Sequence, residues 1–545
     1  MVTRKNIFLI AFLIWYLPFA NTIFAYGRQD TLRGSNGAGR QWWDVLLYDL
    51  DVKFDTTQRS ISGTNTITFT ISKAAGDSMQ IDLQEPMVLD EVKFEGQNLT
   101  ITKEGNVWWV IYPFNQLRVG KTQQITIRYH GKPKPAANAP WDGGFIWTKD
   151  HNGKLWASVA CQGLGASVWW PCKDLQSDEP DHGMTMRYTV PSNLQCIANG
   201  RLIAKTEQGA NTQWSWQVRE PINTYNATFY IGDYVGWKDT VKGEKGALVL
   251  DHYVIRGNEE KARKQFAVVK DMITCFEYWM GPYPFYTDGY KLVEAPFLGM
   301  EHQSAIAYGN EYKMGYRGMD RSGTGVGKLF DYIIIHESGH EWFGNNITAT
   351  DIADNWIQEG FTTYSETLFS QCMFGREKAF QFMRGEWKNI RNDRPIIGNY
   401  GVNDAGSGDK YDKGAAIVHM LRIMLNNDAT FRDLLRGLNK SYYHKTVSTA
   451  ELERDIINFT KLPLRPFFDQ YLRTTMIPQF EWYVKDDQLF YRFTSVVPGF
   501  SLPLEIKKRK KQAKITVTGD WQSVAWKKGG YNIDISPDFL IHMKE

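Results

Sequence analysis

The sequence predicts a multidomain α+β protein, and three observations carry that prediction. Apolar residues alternate with polar ones through the first half of the chain, take helical spacing through the middle, and return to alternation after Pro478. A chain of 545 residues exceeds what one core serves, so two to four domains are expected. Hydrophobic residues make up 43% of it, a globular composition, and the net charge of +3 argues against a dedicated nucleic-acid surface.

Residues 1–25 read as a secretory signal peptide. Arg4 and Lys5 precede an apolar run from Ile7 to Ala20, and Ala25 offers a small residue for cleavage. The run is short for a transmembrane helix, so no stable membrane insertion is expected once it is removed, with a retained signal anchor as the alternative. The mature protein is expected to be exported, to a periplasm or outside the cell. Residues 26–40 (YGRQDTLRGSNGAGR) are polar and glycine-rich and read as a mobile lead-in.

From residue 41 to 245 the period is two. Leu50, Val52 and Phe54 alternate with charge; Ile67, Phe69 and Ile71, then Ile125, Ile127 and Tyr129, repeat the pattern. This is read as one large β-domain. Residues 246–475 are read as a mainly helical domain, beginning with GNEEKARKQFAVVKDMITCFEYWMG and its acidic start and glycine stop. Within it, 315–327 is glycine-rich but lacks a phosphate-loop pattern, and is expected to be a mobile loop. Residues 476–545 form a small C-terminal β-domain, in which the basic run 506–514 reads as a charged hairpin end. Five cysteines without a C-x-x-C pair give neither a zinc ribbon nor a disulfide framework. Buried thiols are expected, with a single bridge left open by export.

The chemistry concentrates in HESGHEWFGNNITATDIADNWIQEGF. His336 and His340 are four apart and share one helix face, so both imidazoles can hold one metal ion. Glu337 lies about 100° round that helix, able to reach a water without being a ligand. A carboxylate on the next helix would be the third ligand and leave the fourth position open, as at a catalytic zinc. Asp354 or Asn355 is the expected N-cap of that second helix, on which Glu359 and Glu366 share a face.

H-E-x-x-H followed by E-W-F-G-N, with E-G-F-T-T-Y-S-E beginning after eighteen residues counted from His340, resembles the zinc metallo-aminopeptidases typified by aminopeptidase N, a gluzincin family. The resemblance implies a β-sandwich saddle ahead of a thermolysin-like catalytic domain. It implies one Zn²⁺ per chain, held by His336, His340 and Glu359, with Glu337 as general base and Glu366 orienting a ligand histidine. Gly299-Met300-Glu301-His302 resembles the family's G-x-M-E-N motif, with Leu298 at the first glycine and His302 at the asparagine. Gln162, nine residues before Pro171-Cys172, matches the residue that joins Glu301 in holding a substrate's free amino terminus. Tyr411, in Y-D-K-G and fifty-two residues after Glu359, is implied as the oxyanion donor, with Tyr400 a weaker competitor. The expected partners are therefore peptides with a free N-terminus. Many members end in a large helical domain, which does not follow here. A thermolysin-like endopeptidase and a catalytically dead binding or scaffold relative are the rival readings. Sequence alone leaves the oligomeric state unknown.

Overall fold

The computed structural model describes residues 26–508, 511–526 and 534–544; the signal-peptide reading lies outside them. The N-terminal region is built on an eight-stranded sheet. Its order is 201–208, 211–218, 184–191, 43–55, 60–71, 122–131, 88–94 and 97–98. Trp43–Asp55 runs antiparallel to Ser60–Ile71 but parallel to Met184–Pro191. A four-stranded sheet (195–198, 229–232, 155–160, 144–149) and a three-stranded one (78–82, 107–111, 100–104) complete the β-region. One face of each alternating strand is buried: Leu50, Val52, Ile67, Phe69, Ile125 and Ile127 have no or almost no exposed surface.

Ten α-helices follow in chain order among the described residues. They are α1 (Arg28–Gly34), α2 (Glu259–Phe266), α3 (Val268–Met280), α4 (Tyr332–Gly339), α5 (Trp356–Phe374), α6 (Arg376–Glu386), α7 (Asp412–Leu425), α8 (Asp428–Ser441), α9 (Thr449–Thr460) and α10 (Arg465–Arg473). Helices α2 to α10 form the middle domain with a five-stranded sheet of order 234–243, 246–255, 290–294, 306–308, 299–300. The C-terminal β-region holds a four-stranded and a three-stranded sheet. Its Phe480, Phe493 and Phe500 share one core with Phe467 and Tyr471 of α10, so it is welded to the helices and not merely tethered. Among the described residues no helix is long and apolar enough to cross a membrane.

Several expectations are corrected. Residues 26–40 are not a loose lead-in: α1 docks on the β-region, with Arg33 donating to the Asp174 carbonyl (2.8 Å) and buried Arg40 paired with Asp82 (2.5 Å). The polar composition concealed two arginines that anchor through charge. The boundary expected at 245/246 falls at the tip of a hairpin, and both of its strands belong to the five-stranded sheet of the middle domain. The loop 315–327 is pinned: the Asp320 carboxylate accepts from the Ser322 and Gly325 amides, and Arg321 reaches Asp412 and Glu386. Asn355 is the N-cap residue of α5, as expected, but its side chain makes no capping hydrogen bond, and Asp354 accepts from Thr449 and Tyr400. Cys275 of α3 is bonded to Cys372 of α5, while Cys161, Cys172 and Cys196 are buried free thiols. The reading of the basic run as a charged hairpin end holds: Ser501–Lys508 pairs antiparallel with Lys511–Thr518, and Lys508 stands opposite Lys511 at its end.

His252, on Gly246–Ile255, is buried against Trp237 and Phe266 (centroids 5.0 and 5.6 Å). Burial pushes its pKa down to about 4, against the pull of Asp239. Because the folded value lies below the unfolded one, its contribution is intact above about pH 6.5 and is lost as pH falls towards 4, at a cost of up to about 3 kcal/mol. The urea midpoint of His252→Phe should therefore fall less steeply with acidification than that of the parent. Parallel curves would remove His252 as a source of acid lability.

Candidate metal centre and active site

Helix α4 starts where the Asp331 carboxylate caps it, accepting from the amides of Ile333 and Ile334. Its apolar first turn is buried, which fixes the helix beside the cleft and turns His336 and His340 towards α5. Helix α5 carries Glu359 in its first turn and Glu366 two turns on. It packs closely on α7, where Gly360 meets Gly414 with too little room for a Cβ (2.9–3.0 Å).

The two histidines are held by their Nδ1 atoms. His336 Nδ1 lies 2.8 Å from Glu366 Oε1; His340 Nδ1 lies 3.0 Å from the Phe343 carbonyl and 3.2 Å from Thr362 Oγ1. Both Nε2 atoms are left facing Glu359 Oε2, at 3.9 and 3.3 Å. Glu359 Oε1 accepts from Gln162 Nε2 and from the Tyr411 hydroxyl, both at 3.0 Å. Glu359 Oε2 is buried with no hydrogen-bond partner. Two oriented imidazole nitrogens and one orphaned carboxylate oxygen, all within 4.8 Å of one another, fit a divalent ion of zinc type. Glu301, Glu337 and His340 form an overlapping group within the same distance. Glu301 Oε1, however, is already occupied by Gln162 (2.7 Å) and the Tyr225 hydroxyl (3.1 Å), so the histidine pair with Glu359 is the better donor set.

The electrostatics match that division. Burial holds His336 down to about 3. Burial also opposes charge on His340, but Glu301 and Glu359 carry it up to about 9. Glu359 is desolvated, yet His340 brings it down to about 2. Glu337 makes no hydrogen bond to a described residue, and burial pushes its pKa well up. It rests against the Gly299 backbone, where a Cβ would stand 2.5 Å from its Oε1. Gly299–Met300 is the edge strand of the five-stranded sheet, paired with Ala307 and Tyr308.

These groups line a cleft of about 900 Å³ between the N-terminal β-region and the helices. Residues 45–226 match the peptidase M1 N-terminal domain, and residues 265–471 match the peptidase family M1 domain. The chain belongs to peptidase family M1. Among M1 and related proteins, leukotriene A-4 hydrolase of Xenopus laevis is 22% identical over 462 residues, covering 78% of this chain and 70% of its own length. Aminopeptidase M1 of Arabidopsis thaliana is 24% identical over 372 residues, covering 65% of this chain. This chain spans only 41% of that plant protein and 49% of human endoplasmic reticulum aminopeptidase 1, to which it is 21% identical. A crystal structure of a mutant M1 zinc metallopeptidase from Deinococcus radiodurans, bound to a Tyr-Ser-Ala substrate, superposes with a TM-score of 0.69. It is 21% identical, with 82% of this chain and 98% of that one covered. The fold is thus the M1 peptidase fold.

Within this M1 fold the structure brings His336, Glu337, His340, Glu359, Glu366, Glu301, Gln162 and Tyr411 together. Gln162 reaches the cluster from the N-terminal region, across a separate core. Tyr400 is excluded: it is exposed and donates to Asp354 (2.7 Å). His302 is a buried group beside the Tyr230 hydroxyl (2.8 Å), and burial keeps it neutral. Sequence reading missed Tyr225, which bonds Glu301 and Gln358, and Thr362 behind His340. It also missed Asn345, whose amide nitrogen donates to the Glu301 carbonyl (2.8 Å). Thr362 and Asn345 lie inside the quoted motifs; Tyr225 carried no local signal.

Proposed function

We propose that this M1 peptidase is a zinc-dependent aminopeptidase, releasing N-terminal residues from peptides. The observation that carries the reading is the pair of vacant acceptors beside the metal-ligating set. Gln162 spends its Nε2 on Glu301 and Glu359, leaving its carbonyl oxygen unbonded to any described residue, and Glu301 Oε2 is likewise free. A cationic α-amino group leaving water needs such charge-assisted acceptors, and no internal peptide bond presents one.

Zinc held by His336, His340 and Glu359 would supply Lewis acidity at the scissile carbonyl. Glu337, buried and unanchored, takes the proton of the attacking water and delivers it to the leaving amine. Tyr411 donates from its hydroxyl to the developing oxyanion, and Glu366 keeps the His336 ring oriented from its far side. Glu301 and Gln162 set the amino end so that the first peptide bond meets these groups.

The test is an aminoacyl anilide against its N-acetyl form. Glu301→Ala should lower kcat/KM for the free-amine substrate by roughly 10²-fold, the value of a lost charge-assisted contact, with metal content unchanged. Equal cleavage of the acetylated substrate would favour a thermolysin-like endopeptidase, and absence of all turnover with metal bound would favour a scaffold role. We further propose an exported protein, supported by the apolar N-terminal run and by the Cys275–Cys372 bridge, which an oxidising compartment sustains.

A further inference from the structure

Arg321, in the glycine-rich segment 315–327, lines the cleft and joins three helices around the metal-ligating set. Its Nη2 donates to both carboxylate oxygens of Asp412, at 2.9 Å each, and its Nε donates to Glu386 Oε2 of α6 at 3.2 Å. The guanidinium also lies over two aromatic rings, 5.4 Å from the Tyr332 centroid and 5.6 Å from that of Tyr316. Tyr332 begins α4 and stacks on His336 (centroids 5.5 Å apart, 16° between planes).

The contact with Asp412 is the one that bears on the chemistry. Asp412 is the first residue of α7, and Tyr411 stands at the N-cap of that helix with no capping hydrogen bond to its side chain. The Tyr411 side chain is turned into the site, its hydroxyl 3.0 Å from Glu359 Oε1. The aim of that hydroxyl therefore depends on how the first turn of α7 is anchored. Lys413 ties it to Asn392 and to the Thr474 carbonyl, and Gly414 packs on Gly360 of α5. Arg321 supplies the anchor at Asp412. Asp412 and Glu386 are both buried, and among the described residues neither is paired with another cation. Without the guanidinium between them, two desolvated acids would face each other and drive the starts of α6 and α7 out of place. With two of its three nitrogens committed to these acids, Arg321 builds the wall of the cleft; a planar fork spans two carboxylates in a way that a point charge does not.

We propose that Arg321 is a positioning residue for the reaction: through Asp412 it fixes the first turn of α7 and with it the Tyr411 hydroxyl beside the metal-ligating set. This rests on the oxyanion role given to Tyr411 above.

The experiment is a double-mutant cycle on an aminoacyl anilide, with zinc content and Tm measured for each variant. Arg321→Met and Asp412→Asn should each lower kcat by roughly 10²-fold, the cost of misplacing a reacting group by about 1 Å, with KM within about twofold of the parent and zinc retained. In a Tyr411→Phe background the same changes should cost less than about threefold, because the group they position is already gone. Asp412→Asn leaves the Arg321–Glu386 pair in place and carries the cycle alone if Arg321→Met does not fold. A full loss repeated in the Tyr411→Phe background overturns the proposal, since Arg321 then acts on something else. A raised KM at parental kcat overturns it in favour of a ligand contact, and lost zinc overturns it in favour of an effect through Tyr332 and His336. Parental kinetics in both variants, with Tyr411→Phe still damaging, overturn the positioning role and leave the oxyanion reading standing. A harmless Tyr411→Phe overturns that reading, and the positioning role with it.

Discussion

Glu337→Gln is expected to bind zinc at the level of the parent and to lose about 10³-fold in kcat, the typical worth of a positioned general base. The amide is isosteric and fits the same slot against Gly299, so the metal ligands on either side of it in the helix are undisturbed. What disappears is the capacity to accept and return a proton. Burial already raises the Glu337 carboxyl far above the usual range, which suits it to cycle between the two forms. Metal analysis alongside steady-state kinetics on an aminoacyl anilide checks both halves. Turnover within tenfold of the parent would remove Glu337 from the role of base.

Tyr411→Phe should cost about 10²–10³-fold in kcat while KM changes little, the pattern of a donor used mainly as negative charge develops on oxygen. Glu359 would lose one of the hydrogen bonds to its Oε1 but keep the one from Gln162, so the ligand stays in place and metal content should hold. The Phe ring preserves the stacking on His336, with centroids 6.0 Å apart. An unaltered kcat would mean that the oxyanion is stabilised by other groups.

The parts of the site that share one helix face, or sit at fixed spacing within a motif, were legible in the chain. His336 and His340 follow from the helical period, and Glu359 with Glu366 from the same period on α5. The broad succession of β, α and β was legible for the same reason. Contacts set by three-dimensional packing were not. Tyr225 lies 76 residues from Glu301, and nothing near it in the chain announces the hydrogen bond. The docking of α1 depends on Arg40 meeting Asp82, a pairing invisible to composition, which read only glycine and polarity. The hairpin at 245/246 misled because both strands have the same alternation, although they serve the five-stranded sheet of the middle domain. The single disulfide joins two helices 97 residues apart and leaves no spacing signature.

The hydrogen bond from Gln162 to Glu359 joins the N-terminal β-region to helix α5, while Glu301 follows Met300, which packs in the core of the β-region. On the proposed aminopeptidase reading, bond-breaking power resides with the helices, while the choice of bond is written jointly with the β-region. A lineage could retune the reach of the loop that carries Gln162 and change which ends of which peptides are accepted, without touching a single metal-ligating atom. On the same reading, drawing the Gln162 loop away from the helices would leave a competent but indiscriminate hydrolytic centre, so fidelity would be a property of a seam.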